Sequence, residues 1–235
     1  MPPIVISHAG CVGHAPENTL AGIRAALAFG ADAVEVDVHA SAEGVPVLMH
    51  DPTVDRTTSG TGPVASLTLA ELRALDAGGE PVPALAEALG LTKGRTLLVA
   101  ELKRPGMEEA VAVVVRDVGA ARGVMVWSFL SEALEGMRRA APALPRALLI
   151  GLGSGERRME MMREAERLGV HGISVFFAMV DADTVLEARH HRLTLYAWTA
   201  DDPGEIARLV GLGVDGIVTN YPERALAAMG RARSA

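Results

Sequence analysis

Two carboxylates and an imidazole alternate within the stretch Ala33 to Asp51, AVEVDVHASAEGVPVLMHD. If Ala33–His39 is extended, a two-residue period sends Glu35, Asp37 and His39 to one face and Val34, Val36 and Val38 to the other. The two acids then lie about 7 Å apart at Cα, near enough for both carboxylates to close on one ion. Buried strands of parallel sheets are normally apolar, so acids on an inward face need a partner, and a divalent cation is one. A second run, Arg95 to Lys103 (RTLLVAELK), repeats the device with Glu101 and Lys103 on one face. If Glu101 meets Glu35 and Asp37, each carboxylate pair about 4 Å apart repels by roughly 4 kcal/mol at an effective dielectric of about 20. Without a metal, at least one of the three should hold a proton.

His8 closes the first apolar run, and His50 closes the run that returns after Glu43-Gly44. Phosphodiester hydrolysis needs a base for the attacking hydroxyl and an acid for the leaving oxygen, and two imidazoles of opposite protonation supply both. A divalent ion on the phosphoryl oxygens would stabilise the added charge. Lys103 beside Glu101 reads as a phosphate contact, since a merely structural inward salt bridge is costly to bury. Trp198 divides evenly between core residue and apolar wall of the pocket. His14, His39, His171, His190 and His191 read as core or surface histidines. Gly60, Gly62, Gly78 and Gly79 lack the Walker lysine and the GxGxxG spacing, so they read as turn glycines.

The elements that must position these residues have a clear rhythm. FGADAVEV at 29–36, LGVHGISV at 168–175 and LGVDGIVT at 212–219 each read as a helix stopped by glycine, a tight turn and a buried strand. Further strand candidates are 124–129, 146–151 and 193–199. Amphipathic stretches at about 106–120, 131–141, 156–168, 181–190, 203–211 and 222–230 separate them. A helix from about Thr19 to Phe29, capped by Asn18 or Thr19, follows the first strand. Eight βα units can be counted, which implies an α/β fold of the (β/α)8 TIM-barrel type. The Gly-, Pro-, Ser- and Thr-rich stretch at about 44–83 reads as a small insertion after the second barrel strand, within a single catalytic domain over 1–235.

These residues resemble the glycerophosphodiester phosphodiesterase family. The matching motifs are ISHAG at 6–10, PENTLAG at 16–22, GADAVEVDV at 30–38, GVPVLMHDPTVDRTTSGTG at 44–62, AELK at 100–103, and AWT followed by GVDGIVTNYP. The resemblance implies a metal-binding barrel that hydrolyses small-molecule glycerophosphodiesters to glycerol 3-phosphate and an alcohol. By motif it makes Glu35, Asp37 and Glu101 the metal ligands, His8 and His50 the acid–base pair, and Lys103 the phosphate contact. It also implies attack by the neighbouring glycerol hydroxyl through a cyclic phosphate. Oxygen-only ligands suit Mg²⁺ or Ca²⁺ alike. One departure stands out: Ala9 occupies the position where the family usually carries an arginine, so a bidentate phosphate grip is missing. The competing expectation is therefore a non-catalytic barrel that binds the phosphodiester without turning it over.

Composition narrows the remaining classes. The 235 residues, 49% hydrophobic, suffice for a sizeable core. A formal charge of -7 with no basic run argues against a general nucleic-acid binder. No apolar run reaches the roughly 20 residues of a membrane span. Cys11 is the only cysteine and MPPIVISHAG lacks a signal-peptide pattern, so a cytoplasmic protein is expected. Glutamine is absent and asparagine occurs only at Asn18 and Asn220, a pattern produced by thermophily or by a GC-rich genome. Thermophily predicts a melting midpoint above the mesophile range of about 45–65 °C, and a midpoint inside that range would leave genome composition as the cause.

Overall fold

Each apolar run read as a strand forms one, and a helix follows to cover it. The computed structural model describes residues 2–151 and 158–231. Its first half runs β1 (Ile4–Ser7), α1 (Leu20–Phe29), β2 (Ala33–Ala40), β3 (Pro46–Leu48), α2 (Leu69–Arg73), α3 (Leu85–Thr92), β4 (Leu97–Leu102), α4 (Glu108–Val118) and β5 (Val124–Ser128). Then come α5 (Ser131–Ala140), β6 (Arg146–Ile150), α6 (Arg158–Leu168), β7 (Gly172–Phe176), α7 (Ala182–His190), β8 (Thr194–Trp198), α8 (Pro203–Leu212), β9 (Gly216–Thr219) and α9 (Pro222–Ala228). Strands β1, β2 and β4 to β9 are parallel and close into a cylinder through pairing of β1 with both β9 and β2. This is a (β/α)8 TIM barrel with one extra strand: β3 runs antiparallel to the end of β2, with Val38 opposite Leu48.

Local sequence accounts for the element boundaries. Thr19, not Asn18, caps α1, its side chain accepting from Gly22 N, and Gly30 ends the helix in the left-handed region at φ 83°. Gly169 and Gly213 repeat that stop in the two later copies of the motif, at φ 59° and 82°. The run expected from Arg95 begins as a strand only at Leu97, because the N–H groups of Arg95 and Thr96 bond the Thr92 carbonyl and close the last turn of α3. The first two residues of the helix expected at 156–168 lie outside the described residues.

The strands alternate between two apolar layers. Outward residues such as Val34, Val36, Val38, Leu98 and Ala100 pack under α1, α3 and α4, and Ile173, Val175, Leu195 and Ile217 pack under the later helices. Burying one such Val, Leu or Ile contributes about 1.5–3 kcal/mol. Inward residues Ile6, Ala33, Val99, Trp127, Ala147, Leu149, Tyr196 and Val218 fill the cylinder. The buried Tyr196 ring lies between Gly172 and Gly216 on the flanking strands, where there is no room for a side chain. Val47, Met49, Val54, Val64, Leu72, Ala77 and Val82 form a separate small cluster between β2 and β4. That segment is tied to the barrel through Ala42 N to Leu67 O (2.8 Å) and Leu48 N to Pro83 O (2.9 Å). Among the described residues no helix is long and apolar enough to cross a membrane.

A Cβ added at Gly172 would come within 2.7 Å of the Thr194 carbonyl oxygen and 3.2 Å of the Tyr196 ring. Gly172→Ala is expected to destabilise the barrel by about 1–3 kcal/mol in denaturant unfolding, and an unchanged midpoint would show that the strand relaxes freely.

Candidate active site

Register brings the acids together. β2 and β4 are neighbours, with Asp37 beside Glu101 and Glu35 beside Val99, so inward positions of two adjacent strands carry all three carboxylates. One oxygen from each lies within 4.8 Å of the others, and all three residues are buried. Glu35 Oε2 accepts from Ala9 N at 2.8 Å, while Oε1 is buried without a hydrogen-bond partner. Asp37 and Asn18 bond reciprocally: Asn18 Nδ2 donates to Asp37 Oδ2 (2.7 Å), and Asp37 N donates to Asn18 Oδ1 (2.8 Å). Lys103, just beyond β4, reaches Asp37 Oδ1 at 3.0 Å and Glu101 Oε1 at 2.7 Å.

The charges follow from this packing. Burial, then repulsion from Asp37 and Glu101, pushes the Glu35 carboxyl well above its ordinary value. Burial also raises Glu101, against the pull of Lys103. Asp37 is as buried, but Lys103 and the Asn18 hydrogen bond outweigh the desolvation and hold it below the ordinary range. Desolvation works against Lys103, and the two carboxylates around it still raise it. Three hard oxygen donors with one orphaned buried oxygen fit a divalent cation, which would answer the charge that Lys103 alone does not.

Both histidines reach the same cavity. His8 Nε2 lies 4.0 Å from Glu35 Oε2, and Nδ1 meets Asn220 Oδ1 at 2.7 Å. His50 Nδ1 meets Asp51 Oδ1 at 2.7 Å. Arg56 grips Asp51 through Nε at 2.6 Å and binds Glu17 with both terminal nitrogens at 2.6 and 3.0 Å. Hydrogen bonds from Arg56 and then His50 hold Asp51 well below the usual carboxylate range. His39 shares the inward face but sits on the His50 carbonyl at 3.3 Å, in a structural position. His14 pairs with Glu223 and His191 with Glu166.

The cavity measures about 250 Å³ and is lined by the acids, His8, His50 and Lys103 together with Trp127, Phe129, Leu149 and Trp198. Trp198 is half-buried and donates from Nε1 to Ser174 O at 3.0 Å, and its ring meets those of Phe129 and Phe176 edge-on. All seven residues singled out in the sequence thus line one cavity. Asn18, Asn220, Asp51, Arg56 and Phe129 were missed. Only Asp51 could have been found locally, as the neighbour of His50.

Residues 8–224 match the glycerophosphoryl diester phosphodiesterase family. The chain belongs to that family. It is 33% identical to a glycerophosphodiester phosphodiesterase of Caldanaerobacter subterraneus subsp. tengcongensis, over 95% of this chain and 96% of that one. Among solved structures, a glycerophosphodiester phosphodiesterase from Agrobacterium tumefaciens superposes with a TM-score of 0.85 at 31% identity, covering 96% of this chain and 99% of that one. A phosphodiesterase from Oleispira antarctica, in complex with the product sn-glycerol-3-phosphate, gives a TM-score of 0.87 at 29% identity and covers 97% of both chains.

With its folded-state value raised above the ordinary 4.5, Glu35 costs more to ionise in the fold than in the unfolded chain. The metal-free protein therefore loses stability as pH rises from below 4.5 through the raised value, and the loss is complete above it. Glu35→Gln is expected to melt at or above wild type without metal at pH 7, and to lose the stabilisation by Mg²⁺ or Ca²⁺ that reaches about 2.7 kcal/mol at a hundred times Kd. An equal metal-induced rise in Tm for both proteins would remove Glu35 from the ligand set.

Proposed function

We propose that this family member hydrolyses glycerophosphodiesters to glycerol 3-phosphate and an alcohol, using a divalent cation held by Glu35, Asp37 and Glu101. The observation that carries the reading is the meeting of three buried carboxylates, one with an unpartnered oxygen, between two imidazoles in one cavity. A bound cation supplies Lewis-acid stabilisation of the phosphoryl oxygens. His8 and His50 form the acid–base pair, one receiving the proton of the attacking glycerol hydroxyl and the other delivering a proton to the leaving oxygen. This frees the alcohol and leaves a cyclic phosphate, which water then opens to glycerol 3-phosphate with the two histidines in exchanged roles. Lys103 steadies a phosphoryl oxygen as a point charge in place of the fork that Ala9 does not provide. Trp198, with Phe129, gives the cavity an apolar wall. The lone buried Cys11 is consistent with a cytoplasmic setting.

Ala9 sustains the second reading, a barrel that binds the phosphodiester without turnover. Its backbone N–H is committed to Glu35, and its methyl carries no charge to the phosphate. Release of glycerol 3-phosphate from glycerophosphocholine and glycerophosphoethanolamine, with Mg²⁺ or Ca²⁺ and with a chelator, separates the two. Turnover is expected only with metal, and His50→Ala should lower kcat by about a hundredfold or more. A diester lacking the glycerol hydroxyl should react poorly. Equal rates with and without metal would overturn the mechanism, and glycerol 3-phosphate binding with no product from any diester would establish the binding barrel.

A further inference from the structure

His8 is held by a hydrogen-bond chain that crosses the closing seam of the barrel. β1 and β9 pair with Ser7 beside Thr219, and His8 N donates to the Thr219 carbonyl at 2.9 Å. The next residue on each strand is therefore His8 on one side and Asn220 on the other, adjacent although 212 positions apart in sequence. The polarity of the chain is set at its far end by Asp201. Asp201 Oδ1 accepts from the Thr219 hydroxyl and from the Asn220 backbone N–H, both at 2.8 Å. Asp201 Oδ2 faces the Asn220 side chain at 2.6 Å. With Asp201 already accepting from two donors at Oδ1, its Oδ2 also accepts, so the amide turns its NH₂ to Asp201 and its oxygen to His8. An amide oxygen only accepts. The ring proton of neutral His8 then sits on Nδ1, and Nε2 shows a bare lone pair to the cavity.

The backbone at Asn220 is closely packed. A Cβ at Gly13, in the loop leaving His8, would lie 2.5 Å from the Asn220 carbonyl oxygen and 2.6 Å from the Tyr221 ring, so that loop closes directly onto the residue. His50 is oriented differently, by the carboxylate of Asp51.

We infer that Asn220 and Asp201 are positioning residues that hold His8 in the Nδ1–H tautomer with Nε2 free toward the substrate, so that Nε2 is the atom through which His8 receives a proton. The inference rests on the catalytic role proposed above for His8. Reversing the amide would place a proton on Nε2 and disable that step while leaving the substrate contacts in place.

Five variants and a spectrum test it. Asn220→Ala should lower kcat roughly ten- to a hundredfold with KM for glycerophosphocholine nearly unchanged. Asp201→Asn, which removes no heavy atom, sets an NH₂ against the amide of Asn220 and should turn it over, lowering kcat likewise. Asn220→Asp alone places two carboxylates together and should also be impaired. The exchange Asp201→Asn with Asn220→Asp restores an acceptor facing His8 and should recover most of the lost turnover. Long-range ¹H–¹⁵N spectra of neutral His8 should report the Nδ1–H form in wild type and the Nε2–H form in Asp201→Asn. A wild-type His8 in the Nε2–H form would overturn the inference, as would full kcat in Asn220→Ala or Asp201→Asn beside an inactive His8→Ala. An active His8→Ala would instead strike the catalytic reading, and the spectra would still decide the polarity of the chain.

Discussion

Glu35, Asp37 and Glu101 converge within 4.8 Å in a region from which water is largely excluded, and the top of the barrel is built around compensating that charge. Lys103 stands between Asp37 and Glu101, the amide of Asn18 donates to Asp37, and a backbone N–H from Ala9 serves Glu35. Lys103 directly follows β4, whereas Ala9 and Asn18 lie in the loop after β1, which must bend sharply to reach inward. Ala9 at φ 45° and Asn18 at φ 57° occupy the left-handed region without being glycine, at a cost of about 1–3 kcal/mol each. Strain is thus concentrated where the carboxylates need donors, and the apolar layers below carry it.

The second imidazole is delivered by a different device. β3 folds back on β2, and the segment after it packs a small core of its own beside the barrel. Arg56 in that segment binds Asp51 and also Glu17, which belongs to the loop after β1. The His50 ring is therefore anchored to two independent parts of the chain, although its side chain is 48% exposed. The His8 and His50 rings, both partly exposed, face one cavity: one is set by strand register, the other by a surface ion-pair network.

What could be read from the sequence was whatever depends on short-range periodicity. Alternation in AVEVDVH assigns Glu35 and Asp37 to the inward face before any partner strand is known, and the same holds for Glu101 and Lys103. The helix stops at Gly30, Gly169 and Gly213 needed only local composition. Asn18, Asn220 and Asp201 were illegible because their chemistry arises from juxtaposition. Asn18 looked like a helix cap, and its side chain instead crosses to Asp37, 19 residues away. Asn220 acquires meaning only when the last strand meets the first. Trp198 remained evenly divided because a barrel-mouth tryptophan is both core and wall: its N–H is committed to Ser174 while its ring borders the cavity.

Asn18 and Asn220 are the only side-chain amides in the chain. Both are placed next to a carboxylate, and both act by showing an oxygen in one direction and an NH₂ in the other. Slow deamidation, the chemical ageing that heat accelerates, has no other asparagine to attack here. Each event would set a new acid against an existing one, at Asp37 or at Asp201. Deamidation on heating would therefore fall on the cavity's supports, Asn18 and Asn220, while the rest of the scaffold carries no side-chain amide to lose.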